Sequence, residues 1–175
     1  SSDLLKILNG RGERLNMISD IRVGQGFDIH RFGDEKGRTL ILGGVKFPGE
    51  RSLIGHSDAD VPAHAITDAL LSALQLGDLG ERFPDTDPQW AGANSIEMLK
   101  AVASEVVSLG WTIRNASVAI VCEQPRIAPA RQEMQQNLGA ACAAPVTVTG
   151  RRAEGLGAIG RVEGIACWAT VVVTR

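Results

Sequence analysis

The sequence predicts an α+β fold, a compact single domain in which a β-sheet packs against helices. Its 175 residues are enough for one ordinary domain with a substantial core. Short segments rich in β-branched residues and segments of helical period follow one another in the order β-β-α-α-β-α-β. This order differs from the regular β-α-β alternation that is typical of parallel sheets with crossover helices.

Composition excludes several classes of protein. Hydrophobic residues make up 44% of the chain, charged residues 22%, and the formal net charge is −2, which disfavours a disordered chain or a broadly basic nucleic-acid binder. No apolar run approaches the roughly 18 residues that span a bilayer. We therefore expect no nucleic-acid or membrane partner. The three cysteines, Cys122, Cys142 and Cys167, are far apart among apolar residues, which predicts reduced core thiols in a reducing compartment.

The chain begins with a segment that has no sustained period. We interpret residues 1–20 as a tail, a linker or a truncated upstream segment, and expect the domain to comprise residues 21–175. Segments 21–27 and 38–47 are predicted strands, because both are rich in β-branched residues and are broken by glycines that permit bulges or turns.

Two helices and a long polar loop are predicted next. Small apolar residues recur every fourth position over residues 61–76, which predicts a helix that buries one face. Residues 77–94 form a polar loop of a length that is commonly functional. Asn94 and Glu97 resemble a capping box that begins a second helix, ending near Leu109.

The second half of the chain is predicted to alternate strands with one further helix. Residues 117–122 alternate as a strand does, and residues 130–141 form the third predicted helix. The last two predicted strands, residues 145–149 and 164–173, enclose a glycine-rich loop.

All three histidines lie within residues 30–64. Asp28 and His30 are two apart in a predicted strand, so their side chains project to the same face. His64, in the first turn of the predicted helix, is a candidate third ligand. One carboxylate and two imidazoles suit a catalytic zinc site, which keeps its fourth position open. The alternative is a strand-end turn and an ordinary helix residue, but the clustering of the histidines favours a metal.

Three carboxylates and a hydroxyl lie near His64 in the sequence. Ser57, Asp58 or Asp60 can cap the helix. The positive end of the helix disfavours protonation of His64 and keeps the imidazole available to a metal. Asp60 and Asp68 are the carboxylates expected to support the ligands, and Asp68, one turn after His64, is predicted to orient its ring. The alternative for Asp68 is a solvated helix carboxylate.

Four segments together resemble the family of 2-C-methyl-D-erythritol 2,4-cyclodiphosphate synthases, over about residues 21–173. They are GQGFDIHRFG, ILGGVKFPGERSLIGHSDADVPAHAITDALLSALQLGDLGERFPDTDP, EQPRIAP and EGLGAIGRVEGIA. The resemblance implies a lyase of non-mevalonate isoprenoid biosynthesis. In that reaction the 2-phosphate of 4-diphosphocytidyl-2-C-methyl-D-erythritol 2-phosphate attacks the β-phosphorus and CMP is released, so water is not the nucleophile. It also implies a homotrimer with active sites at subunit interfaces.

The resemblance implies roles for individual residues. Asp28, His30 and His64 match the zinc ligands, and the zinc would hold and polarise the phosphate under attack. Glu154 matches a carboxylate that binds a second divalent ion, Mg²⁺ or Mn²⁺, together with the substrate. Two further residues match phosphate contacts: Ser57, and His56 as a catalytic stabiliser of the transition state.

Two stretches match the walls of the substrate pocket. The erythritol part is matched by Asp78, Gly80, Phe83, Pro84, Asp85, Thr86 and Asp87. The cytidine part is matched by Cys122, Glu123, Gln124, Pro125, Arg126, Ile127 and Ala128. The two parts are expected to lie across a subunit interface from each other.

The chain departs from the family in the segment TGRRAE, residues 149–154. Arg151 and Arg152 stand where the family has hydroxyl side chains, and two guanidiniums can grip a diphosphate by charge and bidentate geometry. Arg152 is therefore the catalytic candidate in place of a threonine, with a solvated loop charge as the alternative. Ala153 is expected to contact substrate.

A second departure concerns the cavity that the family has along its trimer axis. Ala158 occupies a position where the family often has phenylalanine, and the aromatic wall of an isoprenoid diphosphate site is therefore missing. Arg161 matches the arginine of that cavity. The alternative is an ion pair between Arg161 and Glu163 at a subunit interface.

Two other functions compete with cyclisation. A metal-dependent phosphohydrolase on the same scaffold is suggested by the altered TGRRAE segment, and a non-catalytic trimeric or metal-binding module is the second alternative. Residues 1–20 are consistent with a linker from a fused upstream cytidylyltransferase or with a processed transit segment. The expected compartment is accordingly the bacterial cytoplasm or the plastid stroma.

Overall fold

The computed structural model describes residues 20–33 and 37–175. The tail or linker predicted for residues 1–20 therefore lies outside the described residues, except for Asp20. Strands in the described part are β1 (Ile21–Gly33), β2 (Leu40–Leu42), β3 (Val45–Phe47), β4 (Ser52–Leu53), β5 (Thr112–Val121), β6 (Val146–Arg151) and β7 (Gly164–Thr174). Helices are α1 (Val61–Leu74), α2 (Leu79–Arg82), α3 (Ser95–Ser108), α4 (Arg131–Cys142) and α5 (Gly157–Gly160), with a 3₁₀ turn at Pro88–Trp90.

The main sheet has the strand order β4-β1-β7-β5-β6. Strand β7 lies antiparallel between β1 and β5, whereas β5 and β6 are parallel and are connected through α4. Helix α1 packs on β1 and β7, α3 packs on α1, and α4 packs on α3 and β6. The predicted α+β fold with a mixed sheet and helices in one compact domain is confirmed. Among the described residues, no helix is both long enough and apolar enough to cross a membrane.

The face of the main sheet that does not pack against the helices is apolar and exposed. Strand β1 alternates, so Gly24, Gly26, Asp28 and His30 share the side toward the helices, while every second residue between them points the other way. The exposed large side chains on this outer face are Ile21, Val23, Phe27, Ile29 and Trp168. The rings of Phe27 and Trp168 are in contact with centroids 4.7 Å apart and planes tilted by 50°.

The segment predicted as one strand over residues 38–47 is instead a hairpin. Strands β2 and β3 pair in a separate two-stranded sheet. Gly43 and Gly44 form its turn with φ of +57° and +73°, a region that glycine enters without a steric penalty. The polar loop at residues 77–94 is likewise more ordered than predicted, since it contains α2 and the 3₁₀ turn.

Helix α1 lies directly on the backbone of β1. A Cβ atom added to Gly24 would be 1.9 Å from the carbonyl oxygen of Ala69, and one added to Gly26 would be 2.0 Å from that of Ala65. The two glycines and the small residues of the helix thus allow contact between main chains. This contact places His64, the residue before Ala65, next to Asp28.

Candidate metal centre

Three side chains converge where β1 passes the start of α1. Oδ2 of Asp28 is 3.2 Å from Nε2 of His30 and 2.9 Å from Nδ1 of His64. The candidate ligand atoms of these residues all lie within 4.8 Å of one another. The convergence predicted from the sequence is confirmed, and the three residues could hold a metal ion.

In each imidazole, the ring nitrogen that faces away from the cluster makes a hydrogen bond that orients the ring. Nδ1 of His30 is 2.6 Å from the carbonyl oxygen of Ile54. Because a carbonyl only accepts, Nδ1 carries a hydrogen, and Nε2 is the nitrogen that faces the cluster. Nε2 of His64 is 3.0 Å from Oγ of Ser57 and 2.8 Å from Oγ of Ser95.

The charges of the cluster favour a cation. Burial acts to raise the pKa of Asp28, but hydrogen bonds to His30 and His64 and their charges outweigh it and hold that pKa well below its usual range. Burial acts to lower the pKa of His30, but its hydrogen bond to Asp28 and the carboxylate charge outweigh it, so the pKa is raised. A metal would take the place of the proton on His30, because a ligating imidazole must be neutral.

The role predicted for Asp68 is wrong. Its Oδ1 accepts a hydrogen bond of 2.7 Å from the N–H of Leu79, so it fastens α2 to α1. The ring of His64 is instead oriented by two hydroxyls, those of Ser57 and Ser95. The sequence analysis missed Ser95, since a serine at the start of a helix reads as part of a cap.

Asp60 supports the site through the backbone. It caps α1 by accepting from the N–H of Ala63 at 3.2 Å, and it also accepts from Gly43 at 2.7 Å and Gly44 at 2.6 Å. The same buried carboxylate therefore joins the β2–β3 turn to the start of the helix that carries His64. Of the three predicted capping residues, Asp60 makes the cap.

The three candidate ligands line a cavity of about 440 Å³, the metal cavity. His56 and Ser57, the candidates for phosphate contacts, also line it, and so do four residues of the erythritol set: Gly80, Phe83, Pro84 and Asp85. Thr86 is not a wall residue. Asp78 and Asp87 are also outside the lining and act as caps, accepting from the N–H groups of Glu81 and Gln89.

Three residues that the sequence analysis missed shape this cavity. Trp90 and Met98 line it, and the Trp90 ring meets Phe83 edge-on with centroids 4.9 Å apart. Arg38 donates to the carbonyls of Gly55, at 2.9 Å, and Ser57, and so it fixes the backbone on both sides of His56.

A second cavity, of about 680 Å³, lies at the end of β5. All seven residues of the predicted cytidine set, from Cys122 to Ala128, line it, together with Arg151 and Arg152. Glu50 and Arg131 are additional wall residues. This cavity shares no lining residue with the metal cavity.

Arg152 makes an ion pair that was not expected from the sequence. Its Nη2 is 2.6 Å from Oε2 of Glu123, while its side chain remains 70% exposed. Glu154, with a positive φ of 53°, is exposed and lines neither cavity. Ala153 is half-buried beside it.

Ala158 and Arg161, which match the cavity along the trimer axis of the family, lie at the surface of the chain. Ala158 is exposed within α5. Nε of Arg161 is 2.6 Å from Oε1 of Glu163, so the two residues form an ion pair within this chain.

A family model described as the YgbB family matches residues 21–174. The chain belongs to the YgbB family. A curated relative, the 2-C-methyl-D-erythritol 2,4-cyclodiphosphate synthase of Rubrobacter xylanophilus, is 49% identical over 158 residues, which cover 88% of this chain and 95% of the relative. The family resemblance seen in the sequence is thereby confirmed.

Other members of the YgbB family are longer or carry a ligand. The bifunctional enzyme IspD/IspF of Anaeromyxobacter dehalogenans is 44% identical over 168 residues, which cover 94% of this chain but only 43% of the relative. The chain thus spans less than half of that bifunctional relative. The structure of IspF from Plasmodium falciparum in complex with CDP matches with a TM-score of 0.76 at 31% identity, covering 88% of this chain and 96% of that one.

Proposed function

We propose that this chain is a 2-C-methyl-D-erythritol 2,4-cyclodiphosphate synthase, which converts 4-diphosphocytidyl-2-C-methyl-D-erythritol 2-phosphate to the cyclic 2,4-diphosphate and releases CMP. The observation that carries the proposal is the convergence of Asp28, His30 and His64 at the mouth of a cavity, in a chain 49% identical to a curated synthase. The reaction makes this chain a phosphorus–oxygen lyase of isoprenoid precursor biosynthesis.

The residues of the metal cavity would hold the reacting phosphates. Asp28, His30 and His64 are proposed to bind Zn²⁺, which when bound would act as a Lewis acid on a phosphate oxygen. Nε2 of His56 lies 3.0 Å from the carbonyl of Asp87, so Nε2 carries a hydrogen and Nδ1 is the nitrogen available to substrate. In its imidazolium form His56 would donate to the developing negative charge, and the Ser57 hydroxyl would donate beside it.

The second cavity would bind the cytidine diphosphate part. Arg151 would grip the diphosphate by charge, and Glu154 is proposed to bind Mg²⁺ or Mn²⁺ together with the substrate. Arg152, which lines the same cavity, is proposed as the catalytic residue that stabilises the transition state, and its ion pair with Glu123 would also hold the turn that carries Glu154. The CDP complex of the Plasmodium falciparum relative supports a cytidine diphosphate ligand.

A homotrimer would bring the two cavities together. The substrate has both a phosphate to be activated and a cytidine to be bound, yet the cavities of one chain share no wall. The outer sheet face, with Phe27 and Trp168 exposed, is proposed as the surface that a second and third copy cover. Each active site would then lie between neighbours.

The relatives support a proposal for the upstream partner and for the compartment of this chain. A cytidylyltransferase fused upstream, which the bifunctional IspD/IspF relative supports, would supply the cytidyl substrate to this domain. Bacterial relatives support the bacterial cytoplasm rather than a plastid stroma.

Oxygen-18 water tests the proposal against hydrolysis. Because phosphate is the nucleophile in cyclisation, the product other than CMP should carry no solvent oxygen. Label in that product would reject cyclisation in favour of a phosphohydrolase. Zinc uptake without any release of CMP would reject both activities and leave a metal-binding module.

A further inference from the structure

We propose that Ser95, held by Asp58, is a positioning residue that selects the tautomer and the ring orientation of His64. The inference rests on the proposed metal centre but concerns Asp58, for which the sequence suggested only a helix-capping role, and Ser95, which the sequence analysis missed. It predicts that a hydroxyl at the start of α3 controls how strongly the site binds metal.

Ser95 is placed between a carboxylate and the imidazole. It is completely buried, and His64 is 6% exposed. Oγ of Ser95 lies 2.8 Å from Nε2 of His64 and in short contact with Oδ1 of Asp58. The backbone N–H of Ser95 also donates to Oδ2 of Asp58, at 3.2 Å.

The direction of the hydrogen bonds follows from the carboxylate. Asp58 receives three donors: the N–H and the O–H of Ser95, and the N–H of Asp60 at 3.3 Å. An ionised carboxylate can only accept, so the single hydroxyl hydrogen of Ser95 points at Asp58. Oγ of Ser95 must then accept from Nε2–H of His64, so Nδ1 is the nitrogen that a metal would bind, in place of the hydrogen that it donates to Asp28 at 2.9 Å.

Ser57 does not fix the proton in the same way. Its Oγ is 3.0 Å from Nε2 of His64 and accepts from the N–H of Ala59 at 3.2 Å, but no carboxylate is among its contacts with the described residues. Ser57 also lines the metal cavity, so its hydroxyl can turn toward a phosphate. Ser95 faces no cavity and keeps one orientation.

A fixed ring orientation matters because the metal would bind Nδ1 while Nε2 keeps its hydrogen. Without the acceptor at Ser95, the ring of His64 can tilt or flip, and either change must be reversed before binding. Loss of a hydrogen-bond partner of a metal-bound histidine typically weakens metal binding by about 10- to 100-fold.

The test compares Ser95→Ala with Ser104→Ala in the full chain. Both remove a serine hydroxyl from α3, but that of Ser104 is exposed and only donates to the carbonyl of Lys100, at 2.8 Å. Competition with a chelator should show zinc bound about 10- to 100-fold more weakly by Ser95→Ala and unchanged by Ser104→Ala. Long-range ¹H–¹⁵N NMR of the zinc-loaded protein should show His64 with a hydrogen on Nε2 in the wild type and a mixture of ring orientations, with zinc on Nδ1 or on Nε2, in Ser95→Ala.

A second variant separates positioning from folding. Asp58→Asn leaves the Ser95 hydroxyl in place but supplies an amide that can donate to it, so zinc should again bind more weakly and the orientation of the His64 ring should again become mixed. Wild-type zinc affinity together with a wild-type His64 spectrum in Ser95→Ala, in protein that unfolds normally, would overturn the inference. A wild-type chain that binds zinc but releases no CMP would reject the proposed function alone, and one that binds no zinc would reject both.

Discussion

The guanidinium of Arg152 is fastened to the carboxylate of Glu123, with Nε 2.7 Å and Nη2 2.6 Å from the same oxygen, Oε2. The other oxygen accepts from the N–H of Gly155 at 3.2 Å. Hydrogen bonds from Gly155 and then from Arg152 lower the pKa of Glu123. One carboxylate thus holds both sides of the turn that presents Glu154.

The two neighbouring arginines should therefore differ in function. Arg151→Thr removes a charge from the cavity wall, so we expect the KM for the cytidyl substrate to rise about tenfold with little change in kcat. Arg152→Thr releases Glu123 and loosens the turn that carries Glu154, so we expect kcat to fall and the Mg²⁺ concentration for half-maximal activity to rise. Steady-state kinetics over a Mg²⁺ series measure both effects.

The control for this pair is Arg152→Lys, which keeps the charge but loses the planar guanidinium. It should resemble Arg152→Thr in its Mg²⁺ dependence if geometry is decisive. Unchanged kinetics in all three variants would show that both arginines are bystanders.

Two histidines of one cavity should separate metal binding from catalysis. In His64→Ala a ligand atom is missing, so we expect zinc content to fall to near zero and turnover to vanish. In His56→Ala the ligand cluster is intact, so zinc should be retained while kcat falls by about 100-fold or more. Elemental analysis and CMP release measure the two properties.

Circular dichroism must show that both variants are folded. His64→Gln serves as a less disruptive second variant, because His64 is buried. A zinc content in His64→Ala equal to that of the wild type would refute the ligand assignment.

The contact between β1 and α1 should control the metal site from a distance. Gly26→Ala places a methyl group within 2.0 Å of the Ala65 carbonyl, so helix and strand must separate. We expect a loss of about 2 kcal/mol in the free energy of unfolding and weaker zinc binding. Denaturant titration and chelator competition measure these effects. Gly80→Ala is the matched control, because its Cβ would lie 3.4 Å from Asp78 in ordinary contact; equal effects of the two substitutions would contradict the prediction.

Asp60 should be a major source of stability. Asp60→Ala leaves the N–H groups of Gly43, Gly44 and Ala63 without their acceptor. We expect the free energy of unfolding to fall by about 3 kcal/mol, as measured by urea titration. Replacement of the exposed Glu133 by alanine should change it by less than about 0.5 kcal/mol. A similarly small change for Asp60→Ala would show that the β2–β3 turn does not depend on this carboxylate.

The parts that could be predicted are those in which local pattern decides structure. The i, i+2 spacing of Asp28 and His30 places both side chains on one face, and the period of α1 gives its position within two residues of its observed end. Gly43 and Gly44 misled the prediction, because a two-residue turn between short apolar strands resembles a single broken strand.

Contacts between distant residues could not be predicted. The hydroxyl of Ser95 reaches His64 across 31 residues, and Glu123 pairs with Arg152 across 29. Neither pair has a local spacing that a periodic pattern records. Asp68 was predicted to orient His64 because both lie on one helix face. Its carboxylate instead accepts a hydrogen bond from the N–H of Leu79 on the adjoining helix.

Main-chain contact between β1 and α1 has a consequence for protein engineering. The distances among the donor atoms are set by where two backbones meet at Gly26 and Ala65, not by the donors themselves. Each candidate ligand side chain can therefore be replaced singly while the two backbones keep their positions. An imidazole in place of the Asp28 carboxylate, for example, would turn the centre into a three-histidine scaffold for other transition metals.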